Sequence, residues 1–209
     1  MEIIRPSESG MENAIGCLRR LLDNAEIIAY PTETFYGLGV RFDRGDALER
    51  LYQIKQRPRD KAMPLIIGST RQLPLLTPAI SPAAERLIEK FWPGPLTLIF
   101  EACANLSPYI TAGTGRVAVR IPGQSFALDL ARQLDYPITA TSANLSGMPP
   151  AEAASRIADY FGSSVSAVVD LGKTQGNAPS TIVDMTGSEI RIVRQGLIPQ
   201  EEIFAVFCQ

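Results

Sequence analysis

Ile27-Ile28-Ala29-Tyr30-Pro31-Thr32-Glu33-Thr34-Phe35-Tyr36-Gly37-Leu38-Gly39 decides how this chain is read. Ile27 to Tyr30 is a short apolar run and reads as a buried strand. Directly after it, Pro31 to Gly39 gathers hydroxyls, a carboxylate and two glycines into what reads as a turn, the arrangement that makes a ligand site of a strand's carboxyl end. Proline sets the chain direction, the threonines offer donors and acceptors, and Gly37 and Gly39 let the backbone approach a neighbour or a ligand closely. A Pro-Thr-Glu-Thr turn can equally cap the next element, so on residue chemistry alone both readings stay open.

Outward from this stretch, helical and strand patterns mix. Met11, Ile15, Leu18 and Leu22 fall at helical spacing, with Ser7 and Ser9 as candidate caps. Over 46–56, Ala47, Leu48, Leu51 and Ile54 share a face, which brings Lys55 and Arg57 out at a helix's carboxyl end, where the helix dipole favours cations. Further helices are expected over 82–90, with Ser81 as cap and Pro82 at the first position, and over 125–134, 151–161 and 200–207. Apolar or β-branched runs at 64–67, 96–101, 117–121, 138–141, 168–171, 181–185 and 190–193 read as strands. The fold class expected is therefore α/β, with one domain over 1–209. Consecutive strands near 171–193 read as hairpins, so a mixed sheet is expected rather than a parallel one. Trp92, between the turns of two prolines, reads as a packing residue rather than a base-stacking one.

Composition narrows the chemistry. At 209 residues and 45% hydrophobic content the chain suffices for one well-buried domain. Cys17, Cys103 and Cys208 are odd in number and far apart, which fits neither a disulfide framework nor a zinc knuckle and points to a reducing cytoplasm. The amino terminus shows no basic segment leading into an apolar run, and no stretch approaches the roughly 20 apolar residues that span a bilayer, so a soluble, cytoplasmic protein without membrane partners is expected. The chain contains no histidine, which removes Ser-His-Asp and Cys-His nucleophile systems and every His-ligated metal site. A formal net charge of -2 gives no global field for nucleic acid, so any anion must be held locally. Lys55, Arg57, Arg59 and Lys61, opposed only by Asp60, form such a cluster, although a solvated loop is the plainer fate of a charge run. Gly172-Lys173-Thr174 lacks the upstream P-loop glycine, Ala167 standing there, and Gly37-Leu38-Gly39 has Phe42 at the third position of the dinucleotide fingerprint.

Three clusters join the opening stretch: Lys55-Gln56-Arg57-Pro58-Arg59-Asp60-Lys61, Ser142-Ala143-Asn144-Leu145-Ser146-Gly147, and Pro179-Ser180-Thr181-Ile182-Val183-Asp184. In this order and spacing, a Lys-x-Arg followed far downstream by Ser-x-Asn, the chain resembles the YrdC-like family of threonylcarbamoyl-AMP synthases. The match covers nearly the whole chain, with Phe91-Trp92-Pro93-Gly94-Pro95-Leu96-Thr97, Arg120-Ile121-Pro122 and Arg194-Gln195-Gly196 also falling where that family carries similar segments. The resemblance implies a twisted mixed sheet with flanking helices around an open, positively charged cavity. It also implies the reaction: L-threonine and bicarbonate form an N-carboxylate that attacks the α-phosphorus of ATP, giving threonylcarbamoyl-AMP and pyrophosphate for modification of a tRNA adenosine.

Lysines, arginines, hydroxyls and an asparagine without an evident nucleophile suit phosphoryl chemistry, in which positioning and charge neutralisation dominate. By resemblance, Lys55, Arg57, Ser142 and Asn144 carry catalysis and, with Arg59 and Arg194, hold the nucleotide. Thr32, Arg120 and Ser180 are assigned to threonine, Arg120 gripping its carboxylate. Taken singly, Arg120 also reads as a charge at a strand end, and Ser142 with Asn144 as a turn. ATP is expected as a substrate with Mg2+, no carboxylate cluster marking a protein-built metal site. Separate proteins that transfer threonylcarbamoyl to tRNA are the expected partners, direct RNA binding being secondary. Many relatives carry a histidine shortly after the Pro-Leu that here is Pro64-Leu65, followed instead by Ile66-Ile67-Gly68. The rival functions are an RNA-binding module of the same fold and a carbamoyl-adenylate-forming relative with another substrate.

Overall fold

A computed structural model describes residues 1–7, 10–174, 178–187 and 189–208. The strands divide into two mixed sheets. The first comprises β1 (Glu2–Ile4), β2 (Ile28–Pro31), β3 (Tyr36–Gly39), β8 (Thr141–Ser142) and β9 (Ala167–Val169), in the order β1-β9-β2-β3-β8. The second comprises β4 (Leu65–Ile66), β5 (Leu96–Glu101), β6 (Arg116–Arg120), β7 (Ile138–Thr139), β10 (Thr181–Asp184) and β11 (Arg191–Arg194), in the order β11-β10-β5-β6-β4-β7. The mixed α/β character expected from the sequence is present, on two sheets rather than one.

β2 shows why its sequence is apolar throughout. Ile27 and Ala29 enter one core cluster while Ile28 and Tyr30 enter another, so alternate side chains of the strand bury on opposite faces of the sheet. Helices α1 (Met11–Asp23) and α5 (Phe126–Gln133) supply Leu18, Leu22, Leu130 and Ala131 to the second cluster. Helices α2 (Gly45–Lys55), α3 (Pro82–Phe91) and α6 (Ala154–Phe161) supply Leu48, Leu51, Leu87 and Ile157 to the first. Short helices α4 (Pro108–Thr111) and α7 (Gln200–Ala205) complete the set. The Ser81 hydroxyl caps α3 by accepting from the Ala84 N–H at 3.2 Å, with Pro82 in the first turn. At α1 the N-cap position is Gly10, and Ser9 lies outside the described residues.

Three sequence expectations change. The stretch after Pro31 is a turn only as far as Phe35, for Tyr36–Gly39 pairs antiparallel with Ile28–Pro31 as a strand. Its glycines serve a neighbour within the protein: a Cβ on Gly39 would stand 2.7 Å from the Tyr30 ring. The hairpin expected near 171–193 holds for β10 and β11, whereas β9 belongs to the other sheet, parallel to β1 and β2. The run 138–141 divides at Ala140, giving β7 to the second sheet and β8 to the first. One continuous segment thus ties the sheets together and delivers Ser142 to the gap between them. Trp92 packs as expected, its indole N–H donating to the Leu96 carbonyl at 2.7 Å. Among the described residues no helix is long and apolar enough to cross a membrane.

Candidate active site

A cavity of about 460 Å³ is walled by both sheets, a size typical of small-molecule sites. The second sheet turns one face to it. Leu96, Leu98, Val119 and Val183 enter the core, so the intervening Thr97, Arg120 and Ile182 are left to the opposite face and line the cavity. Strand register sets them in a row: Arg194 pairs with Ile182, Ile182 with Thr97, and Arg120 with Ile66. Ser180, one residue before β10, joins them. Its hydroxyl lies 2.9 Å from that of Thr97, and the Arg194 guanidinium donates to the Ser180 carbonyl at 2.8 and 3.1 Å and to its hydroxyl at 3.1 Å. Gly196 permits this packing, since a Cβ there would come within 2.3 Å of the Pro179 carbonyl oxygen.

The first sheet and the turn between β2 and β3 contribute Thr32, Thr34 to Gly37 and Ser142. The Thr32 hydroxyl donates to the Phe35 carbonyl at 2.7 Å and accepts from the Thr34 and Phe35 N–H groups at 3.0 and 3.2 Å. The turn-forming and cavity-lining readings of this stretch therefore both hold for Thr32. Glu33, in the same turn, forms a buried ion pair with Arg120, side-chain exposures being 15% and 9%. Its other oxygen, Oε2, is buried without a hydrogen-bond partner. Tyr36 lines the cavity too. Burial, with a contribution from Asp170, pushes its phenol up to about 12, so it remains a donor, here to the Gly172 carbonyl at 2.7 Å.

Of the residues selected from sequence, Thr32, Arg57, Arg120, Ser142, Ser180 and Arg194 line this one cavity. Arg57 is steadied by the carbonyls of Lys61 and Ala62, at 3.0 and 2.6 Å. Burial lowers the pKa of its guanidinium. Asn144 stands behind Ser142, its Oδ1 accepting from the Ser142 hydroxyl at 2.5 Å and its amide donating to the Leu145 and Met148 carbonyls. Lys55 is 2% exposed and lies off the cavity lining, its ammonium donating to the carbonyls of Ser142 and Asn144. Burial, with Arg57 nearby, pushes that ammonium down to about 7. Arg59 lies outside as well, over the Tyr109 ring at 4.8 Å and 3.4 Å from Glu49.

Sequence reasoning did not select Thr97, Thr34 or the Glu33–Arg120 pair. Thr97 carries a readable signal, a lone hydroxyl on a strand whose flanking leucines share the other face. Leu65 and Ile66 add apolar side chains to the lining. The lining holds three arginines and no carboxylate, and no group of three or more His, Cys, Asp or Glu that suits a metal ion occurs among the described residues.

A mixed α/β fold that presents arginines and hydroxyls to an open cavity suits an anionic ligand. Residues 20–196 match the Sua5/YciO/YrdC family model, described as "Telomere recombination", and the chain belongs to that family. It is 38% identical over 178 residues to the threonylcarbamoyl-AMP synthase of Pyrococcus abyssi, covering 85% of this chain and 52% of that one. It is 35% identical over 177 residues to the synthase of Photobacterium profundum, covering 84% of this chain and 95% of that one. Among solved structures, P. abyssi Sua5 complexed with L-threonine superposes with a TM-score of 0.90 at 35% identity, over 99% of this chain and 61% of that one. The chain thus spans about half the length of the Pyrococcus relative and nearly all of the Photobacterium one.

Proposed function

We propose that this chain is a threonylcarbamoyl-AMP synthase. The observation that carries the reading is the single cavity on which Thr32, Arg57, Arg120, Ser142, Ser180 and Arg194 converge, within a family whose relatives bear that name. The P. abyssi structure complexed with L-threonine supports threonine as the amino acid.

The reaction has two parts. The threonine amine and bicarbonate combine with loss of water to an N-carboxylate. One of its oxygens then attacks the α-phosphorus of ATP, the bond to the β-phosphate oxygen breaks, and pyrophosphate leaves. The chain's part is to bind and orient. Arg120, its guanidinium fixed by Glu33, takes the threonine carboxylate, and Ser180 with Thr32 meets its polar groups. Arg57, Ser142 and Arg194 hold the nucleotide phosphates, Asn144 fixing the Ser142 hydroxyl from behind. Magnesium would enter with ATP as part of that substrate, since the wall offers it no carboxylate. Proteins that pass the threonylcarbamoyl group to tRNA are the expected consumers of the product, in the cytoplasm.

The test is to incubate the purified protein with ATP, magnesium, bicarbonate and L-threonine and to identify the products by mass spectrometry. Threonylcarbamoyl-AMP and pyrophosphate, formed only when both threonine and bicarbonate are present, are expected. ADP and phosphate as main products would overturn the reading.

A further inference from the structure

Lys55 and Arg57, two residues apart, go opposite ways. α2 ends at Lys55, and Gln56 takes a left-handed conformation with φ 49° and ψ 42°, so the chain reverses between the two cations. The Gln56 and Arg57 N–H groups close the helix end on the carbonyls of Gln53 and Tyr52, each at 3.0 Å. Arg57 then enters the cavity wall, while the Lys55 side chain turns into the protein.

Inside, the Lys55 ammonium donates to the carbonyls of Ser142 at 2.5 Å and Asn144 at 2.7 Å. Its own carbonyl accepts from the Ser146 N–H at 2.9 Å, so both ends of the residue hold the same loop. Two carbonyl oxygens directed at one point repel each other unless a donor, best a cation, stands between them. An ammonium has three donors, of which these carbonyls occupy two. The side chain is 2% exposed and is not part of the cavity lining.

We propose that Lys55 is a positioning residue: it clamps the Ser142 and Asn144 carbonyls and so fixes where the Ser142 hydroxyl stands in the wall relative to Arg57, without contacting nucleotide. The paired Lys-x-Arg and Ser-x-Asn motifs become one mechanical unit, with Arg57 and Ser142 as its working ends and Lys55 and Asn144 as its supports. The inference rests on the adenylate-forming reading of the cavity. It replaces the direct phosphate role that the sequence resemblance suggests for Lys55.

A crystal structure of the native chain with a non-hydrolysable ATP analogue needs no variant. It should show the nucleotide at Arg57 and Ser142, Lys55 keeping both carbonyls, and no phosphate oxygen within about 3.5 Å of its Nζ. A phosphate oxygen within that reach overturns the proposal. Nucleotide bound away from Arg57 and Ser142 removes the underlying reading, and the proposal with it. In kinetics, Lys55→Met should lower kcat by about tenfold or more while changing the inhibition constant of pyrophosphate less than about threefold, whereas Arg57→Ala should weaken pyrophosphate directly. In a Ser142→Ala background, the cost of Lys55→Met should largely vanish. Unchanged kcat with a lowered Tm would reduce Lys55 to a fold-stabilising residue and equally defeat the proposal. Failure of Lys55→Met to fold leaves the native nucleotide complex to decide.

Discussion

The residues assigned to threonine and those assigned to nucleotide differ in burial. Thr32, Arg120 and Ser180 are 8%, 7% and 7% exposed, whereas Arg57 and Asn144 are half-buried and Ser142 and Arg194 are exposed. Buried, directional polar groups discriminate a small substrate sharply, because a wrong ligand leaves them unpaired. An open rim of guanidiniums and hydroxyls suits a large polyphosphate, for which charge counts more than fit. The cavity thus pairs a buried floor with a more exposed rim.

Removing a floor residue should have the largest effect. Arg120→Ala leaves Glu33 with an unpaired buried carboxylate, and a loss of about 3 to 5 kcal/mol in unfolding free energy is expected from denaturant titration, together with loss of threonine-dependent turnover. A variant of native stability would show the pair to be solvated and the floor to be no floor. Next comes the rim. Arg57→Ala should cut turnover by more than about tenfold, a charge-assisted phosphate contact being worth about 1.5 to 3 kcal/mol, with the thermal midpoint little changed.

A smaller effect concerns the hairpin that carries Ser180 and Arg194. At its far end the Asp184 carboxylate accepts from Arg116, Arg191 and Thr186. Burial works to raise its pKa, but the Thr186 and arginine contacts prevail and hold it below the ordinary carboxylate value. A group lowered in the folded state stabilises above its unfolded pKa and loses that contribution as pH falls through the folded one. The stability difference between the native chain and Asp184→Asn should therefore be full at neutral pH and shrink below about pH 4. Smallest of all, Arg59→Ala should lower turnover about twofold or less, because Arg59 sits against Tyr109 outside the lining; a loss equal to that of Arg57→Ala would extend the rim outward.

Much of this was legible in the residues. Helical spacing placed α1, α2, α3 and α5 to within a few residues, since each buries one apolar stripe. β3 was read as a turn because its glycines and neighbouring hydroxyls look like one. What makes it a strand is the Tyr30 ring lying across Gly37 and Gly39, a tertiary contact with no local signature. β1 has three residues with little burial, too short for periodicity to show. The division into two sheets was hidden in the single run 138–141, which changes partners at Ala140. Six of the residues that the resemblance singles out line one cavity, but sequence cannot tell which way a side chain turns after a left-handed residue such as Gln56. For that reason Lys55 and Arg57 look equivalent in sequence and stand apart in space.

The contrast between floor and rim is tested most directly by Arg120→Lys, which keeps the charge and removes the planar fork. Threonine dependence is read from pyrophosphate release and ATP affinity from calorimetry without threonine. The account predicts a rise of about tenfold in the apparent threonine KM with ATP affinity nearly unchanged. Weakened ATP binding with normal threonine dependence would contradict it, and would place the nucleotide phosphates on the buried floor.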